Sequence, residues 1–212
     1  NVSNAVVFHI PGFSGFPEEP ILTGQLWVAY SMESEHYYTR LQDAKFMKHF
    51  NLTMTYKLSS DIFAGYFNSN ATYYMTPPYP KNETGYGLAA FIASNCVQPR
   101  LGYVQQLSKF IPVDSLGKCN HNKEFPDLNI TNGGLLKFHT MKRYKFYLAF
   151  ENHEAPDYVT EKFFHAIAAG TVPVYWGAPN IDQYLPSNHS IINVKDFESA
   201  EKLAEYLKYL DE

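Results

Sequence analysis

Phe146-Tyr147-Leu148-Ala149-Phe150 is a run of apolar residues with no polar alternation, closed by Glu151 and Asn152. A strand with one wet face alternates; a strand apolar on both faces belongs inside a parallel sheet with helices on either side. The surrounding chain carries the matching pattern. Leu88 to Ala93 predicts a strand. Leu101 to Phe110 predicts a helix with Leu101, Val104, Leu107 and Phe110 inward, and Ile111 to Asp114 a short strand. After a polar loop over 115–134, Leu135 to Met141 predicts a short helix. Thr160 to Ala169 predicts a helix burying Phe163, Phe164, Ile167 and Ala168, with Gly170 just past its end, where positive φ is required. Val172 to Trp176 and Ile191 to Val194 predict strands, and Ser199 caps a final helix with Ala200, Leu203, Ala204, Leu207 and Leu210 inward. Strand–helix alternation on this scale means an α/β fold built from βαβ units.

The first half is less regular. Val6 to Ile10 predicts a buried strand, Gln25 to Tyr30 a second and Leu52 to Tyr56 a third. Between residues 64 and 86 the chain is punctuated by Gly65, Asn68, Ser69, Asn70, Pro77, Pro78, Pro80, Asn82 and Gly85, a pattern that suits an interdomain linker. A net charge of −4 gives no basic footprint for a nucleic-acid backbone. No run of eighteen apolar residues and no signal peptide occurs. Both ends read as cut, so a membrane anchor is expected outside this stretch. Aromatic residues are plentiful, serving either as sugar-stacking surfaces or as ordinary core.

Six Asn-X-Ser/Thr sequons begin at Asn1, Asn51, Asn70, Asn82, Asn129 and Asn188, more than chance supplies, which favours the secretory pathway. There Cys96 and Cys119 are free to pair, and closing that loop would add about 3 kcal/mol on the chain-entropy view. Two buried thiols are the alternative, and geometry decides between them.

In an open parallel sheet, ligands bind beyond the carboxyl ends of the strands. Past Phe150 the chain reads Glu151-Asn152-His153-Glu154-Ala155-Pro156-Asp157-Tyr158-Val159-Thr160-Glu161-Lys162 and runs straight into a helix N-terminus. Free N–H groups there favour an anion, so Lys162 in the first turn makes sense if a phosphate lies between. The alternative is a solvated lysine paired with Glu161 or Asp157. Gly-X-Gly-X-X-Gly, Walker and Gly-X-Ser-X-Gly motifs are absent, as are zinc-ligand spacings.

Residues 144–179, from Tyr144-Lys145-Phe146 through Val159-Thr160-Glu161-Lys162 to Gly177-Ala178-Pro179, closely resemble the α1,3/α1,4-fucosyltransferases of glycosyltransferase family ten. The likeness continues through Tyr184-Leu185-Pro186 and Ile191 to Phe197, and upstream through Ala93-Ser94-Asn95-Cys96, Arg100 and Val113 to Gly117. Further back, Gly24 to Trp27, Ser31-Met32-Glu33-Ser34, Phe50 to Lys57 and Ser60-Asp61-Ile62 are similar to the family's N-terminal domain.

The resemblance implies a GT-B-type architecture, two Rossmann-like domains with parallel sheets facing across a cleft. Residues 1–85 would be a truncated N-terminal, acceptor-side domain with its linker, and 86–212 the GDP-fucose-binding domain. By motif, Arg100 and Lys162 would hold the diphosphate of the donor, GDP-fucose, and Glu161 the ribose hydroxyls. Asn152, Tyr158 and Tyr147 would line the pocket, and Glu33 would be the general base. No metal or other cofactor is implied. The resemblance further implies inverting transfer of fucose to a GlcNAc hydroxyl of a glycoprotein glycan, in α1,3 linkage. The full-length protein would be a single-pass Golgi enzyme facing the lumen. Two alternatives stand: a protein O-fucosyltransferase of the same fold in the endoplasmic reticulum, and a glycan-binding module with a dead donor site. Tyr175-Trp176-Gly177 and Leu185 to Asn188 lean toward divergent animal and plant-like members of the family rather than the human Lewis enzymes.

Overall fold

The computed structural model describes residues 3–17, 23–67, 80–81 and 85–212. Most of the expected linker, with sequons Asn1, Asn70 and Asn82, lies outside the described residues.

Two parallel sheets organise the chain. The first has the order β1-β2-β3-β4, with β1 Ala5–His9, β2 Leu26–Ser31, β3 Leu52–Thr55 and β4 Ile62–Phe63. The second has the order β6-β5-β7-β8-β9, with β5 Ala89–Phe91, β6 Val113–Ser115, β7 Phe146–Phe150, β8 Val172–Trp176 and β9 Ile192–Asn193. Every pairing in both sheets is parallel. The helices are α1 Ala44–Met47, α2 Arg100–Leu107, α3 Gly133–Met141, α4 Glu161–Ala168 and α5 Ala200–Asp211. None is long and apolar enough to cross a membrane among the described residues.

β7 is buried along its whole length, and its alternation divides the core. Phe146, Leu148 and Phe150 pack on one side with Val104 and Leu107 of α2 and Leu203 and Leu207 of α5. Tyr147 and Ala149 pack on the other with Phe138 of α3 and Phe163 and Ala166 of α4. β8 runs beside it in register from Phe146 opposite Val172 to Phe150 opposite Trp176.

The helix boundaries follow local chemistry. The Thr160 side chain accepts from Lys162 N, Asn132 from Gly134 N and Leu135 N, and Ser199 from Lys202 N, each satisfying helix-end donors. Gly170 ends α4 at φ 63°. Cys96 and Cys119 form a disulfide with Cα atoms 5.3 Å apart, which answers the question left open by the sequence.

Four expectations need correction. β1 is an edge strand whose residues are exposed or half-buried, not a buried one, because β2 is its only partner in the sheet among the described residues. Phe110 lies beyond the end of α2, which starts at Arg100 and finishes at Leu107, so the side chain leaves the inward face and is exposed. Leu210 sits in the last turn of α5, past the reach of the sheet, and is likewise exposed. Phe164 and Ile167 are half-buried on the flank of α4; Phe163, Ala166 and Ala168 take the buried positions. The short β4 carries no apolar pattern long enough to be predicted.

Candidate donor-binding site

In the second sheet β5 has β6 on one side and β7 on the other, so successive crossovers leave β5 in opposite directions. The crevice beyond the carboxyl ends of β5 and β7 is the switch point where an open α/β sheet binds ligands. Arg100, first residue of α2, reaches across it from the β5 side. Its Nη1 donates to Phe150 O at 2.7 Å and its Nη2 to Asn95 O at 2.6 Å. The guanidinium is thereby fixed in orientation by backbone carbonyls, and the residue is only 4% exposed.

Arg100 lines a cavity of about 220 Å³ with Gln98, Glu151, Asn152, His153 and Trp176. Two buried polar atoms of these residues have no partner, Arg100 Nε and Asn152 Oδ1. A buried donor and a buried acceptor without partners are costly. On the far side of Glu154, the Trp176 indole donates to Glu154 Oε1 at 2.7 Å, and Lys195 pairs with the same carboxylate at 2.5 Å, holding the indole at the rim.

Lys162 reaches the crevice from α4. Its ammonium donates to Thr160 Oγ1 at 2.9 Å and stands 3.3 Å from both Glu151 Oε2 and Glu161 Oε1. Of the solvated-lysine alternative, the pair with Glu161 is present, but the side chain is only 18% exposed and also faces the buried Glu151. Asp157 is used elsewhere, accepting from Leu58 N at 3.1 Å, Asn180 Nδ2 at 2.7 Å and the Tyr184 hydroxyl at 3.1 Å. Glu151 faces Lys162 directly and lines the same cavity as Arg100. Burial pushes the Glu151 carboxyl up; Glu161, beside the same ammonium, is held below the ordinary carboxylate range by Lys162 despite its own burial.

The first sheet supplies the opposite wall. Glu33 follows β2, and its carboxylate accepts from the Tyr158 hydroxyl at 3.2 Å. Tyr158 is buried where the two units meet, its ring edge-on to Tyr56 at 5.0 Å and to Tyr66 at 6.2 Å. The Tyr66 hydroxyl donates to Met32 O at 2.6 Å and lies in the combined field of Glu33, Glu161 and Glu151, which together with burial raises it well above the usual phenol range. The Tyr37 hydroxyl donates to Asn152 O at 2.9 Å, and the His36 and His153 rings stack at 4.2 Å. Contacts between the two units thus join Glu33 to Tyr158 and Tyr37 to Asn152, while Lys162 faces Glu151, which lines the cavity with Arg100 and Asn152.

Tyr147 and Tyr158 sit differently from expectation. Each is 2% exposed and neither lines the open cavity: Tyr147 packs on the α3–α4 side of β7, and Tyr158 packs against Tyr56. Sequence reasoning missed Glu151, Tyr66, Tyr37 and Trp176 as site residues. Only Glu151 left a signal, as the first polar residue after a fully apolar strand.

Residues 82–212 match the family model for glycosyltransferase family 10 (fucosyltransferase) C-term, and residues 1–67 match the model for the fucosyltransferase N-terminal region. The chain belongs to glycosyltransferase family 10. It is similar to GDP-fucose protein O-fucosyltransferase 3 of Xenopus laevis, 37% identical over 87% of this chain and 42% of that protein. It is also similar to alpha-(1,3)-fucosyltransferase 4 of Bos taurus, 39% identical over 91% of this chain and 48% of the relative. The chain thus spans less than half the length of these curated relatives. In fold it superposes on a crystal structure of an alpha1,3-fucosyltransferase with GDP-fucose, with a TM-score of 0.63 at 22% identity, over 99% of this chain and 66% of that one. This family 10 chain has the two-sheet, GT-B-type α/β architecture implied by its sequence.

Proposed function

We propose that this family 10 chain forms the donor site and central cleft of an inverting fucosyltransferase, which moves L-fucose from GDP-fucose to a GlcNAc hydroxyl of a glycoprotein glycan in α1,3 linkage. The observation that carries this reading is that Arg100 and Glu151, the buried carboxylate that Lys162 faces at 3.3 Å, line one cavity at the β5–β7 crevice. Departure of GDP leaves charge on the diphosphate. A fixed guanidinium, an ammonium and the N-terminus of α4 stabilise that charge without reorganising. The reading includes no metal or other cofactor; the chain's own cations supply the positive charge. Asn152 Oδ1, the open acceptor, takes a donor hydroxyl, and Glu161 the ribose.

Inversion needs a base on the face of the sugar opposite the diphosphate. Glu33 stands on the other wall of the cleft, aimed by the Tyr158 hydroxyl, and removes the proton of the acceptor hydroxyl. The full-length protein works in the Golgi lumen as a single-pass membrane protein. Three exposed sequons, at Asn51, Asn129 and Asn188, are consistent with a lumenal location.

A second reading, transfer to Ser or Thr of folded protein domains in the endoplasmic reticulum, is favoured by the likeness to GDP-fucose protein O-fucosyltransferase 3. A full-length protein assayed with GDP-fucose against N-acetyllactosamine, chitobiose-core glycopeptides and folded domains separates the two. Fucose on N-acetyllactosamine is the expected product. Transfer to folded domains alone would replace the first reading with the second, and absence of GDP-fucose binding would overturn both.

A further inference from the structure

Glu151 was no part of the residue set expected to bind the donor, yet that set converges on it. Its side chain has no solvent exposure. Oε1 accepts from Thr160 N at 2.8 Å, while Oε2 accepts from Thr160 Oγ1 at 2.8 Å and faces Lys162 Nζ at 3.3 Å. One carboxyl therefore sets both the cap of α4 and the position of the ammonium. It is locked from behind as well: a Cβ on Gly177 would lie 2.5 Å from Glu151 Cγ.

Charge balance gives this residue a further task. Arg100 and Lys162 are offset, as they stand, by Glu151 and Glu161. The diphosphate diester of a nucleotide sugar adds two negative charges to a cluster already neutral. Lys162 cannot turn toward a phosphate oxygen without leaving an ionised carboxylate buried and facing an anion, an arrangement the interior penalises heavily. Glu161 is the more exposed of the two carboxylates and the one held down by its neighbours. Burial already disposes Glu151 toward its neutral form.

We propose that Glu151 is a positioning residue that takes a proton from solvent onto Oε2 as the donor diphosphate enters, releasing Lys162 to the phosphate while keeping its hold on Thr160. The balance is simple. Oε1 continues to accept from Thr160 N, and the new O–H donates to Thr160 Oγ1; the Thr160 hydroxyl proton, which Oε2 accepted before, turns to the incoming phosphate oxygen, and Lys162 gives up its contacts with Oε2 and Oγ1. The inference rests on the donor-site reading above.

The other groups facing Glu151 do not compete for that proton in the neutral range. Tyr147 on its own strand, Tyr175 on β8, Tyr158 ahead of α4 and Tyr66 from the first unit are all pushed up by burial and stay neutral. Arg100 keeps its charge, and Lys162 is raised by the two carboxylates. His165, which faces Glu161 and Lys162, is lowered by burial and is retained in the variant used for comparison.

Calorimetry of GDP-fucose binding between pH 6 and 8, in buffers of different ionisation enthalpy, reads the proton directly. The donor's diester has no group titrating in that range. The full chain should take up close to one proton over part of the range, its affinity falling by up to about tenfold per pH unit as pH rises. Glu151→Gln should bind with no such uptake and a flatter profile. Equal uptake in both proteins, or binding by the parent with none, overturns the proposal. Should Glu151→Gln not fold, infrared difference spectra of the parent decide: the band of a buried protonated carboxyl must appear on adding GDP-fucose, and its absence is a refutation. A parent that fails to bind GDP-fucose at any pH sinks the donor reading and this inference together, a result distinct from binding without proton uptake.

Discussion

The two sheets meet the same requirement, covering a parallel sheet, in unequal ways. In the second, β7 is buried along its whole length and both faces carry helices, so the core is two packed layers. In the first, β1 and β4 are edges, with Val7 at 56% and Phe63 at 48% exposure, and cover comes from a ring network joining Phe8, Phe13, Phe16, Trp27, Phe46 and Phe50. The proposed diphosphate clamp stands on the densely packed unit and the proposed base, Glu33, on the open one. Electrostatic stabilisation of a leaving group demands groups fixed in advance, whereas a base need only reach a hydroxyl presented to it.

The largest test of this contrast is a pair of truncations. Phe150→Ala should cost about 3–5 kcal/mol in chemical denaturation, from lost burial and the cavity left behind, whereas Phe63→Ala should change stability by about 0.5 kcal/mol or less. Similar costs for both would erase the distinction between the sheets. Next come the two walls of the cleft. Glu33→Gln should leave GDP-fucose affinity within about twofold while turnover falls by about 10²–10⁴-fold; Lys162→Ala should weaken GDP-fucose binding at least about tenfold. Unchanged affinity in Lys162→Ala would remove that residue from the clamp.

Gly177→Ala sharpens the comparison on the rigid side. The new methyl would lie 2.5 Å from Glu151 Cγ and 2.6 Å from the Tyr175 hydroxyl, so overpacking should cost about 1–3 kcal/mol and weaken donor binding with it. A variant with parental stability and affinity would mean the crevice yields more easily than described. The smallest effect belongs to the open sheet. Thr53 N and Oγ1 donate to Asp61 at 2.8 and 2.7 Å and hold its carboxyl below its ordinary value. A lowered folded-state value means stability present above the unfolded-state range and lost as pH falls through the folded value. Asp61→Ala should therefore flatten acid melting slightly below about pH 4, read by circular dichroism; an unchanged acid limb would show the contact to be silent.

Legibility followed the same divide. The ends of β7 and β8, the cap at Ser199 and the left-handed Gly170 were all readable, because each depends on neighbours within a few residues. Phe110 and Leu210 both keep the helical period yet misled for different reasons: α2 ends at Leu107, before Phe110, whereas Leu210 lies in the last turn of α5, past the reach of the sheet. Glu151 was visible as a residue and invisible as a role, since a carboxylate after a strand ordinarily faces water. Tyr147 was read as lining the cavity because its distance from the crevice floor is not written in its period.

The sequence by itself determined the α/β alternation, the family and the types of residue at the crevice, because hydrophobic period, capping and motif order are local properties. Tertiary structure alone decided which charges meet. Arg100 touches Phe150 across fifty positions, and Tyr158 touches Glu33 across 125. Whether a carboxylate is solvated, paired or wedged between two cations depends on distances and burial that only the folded chain creates.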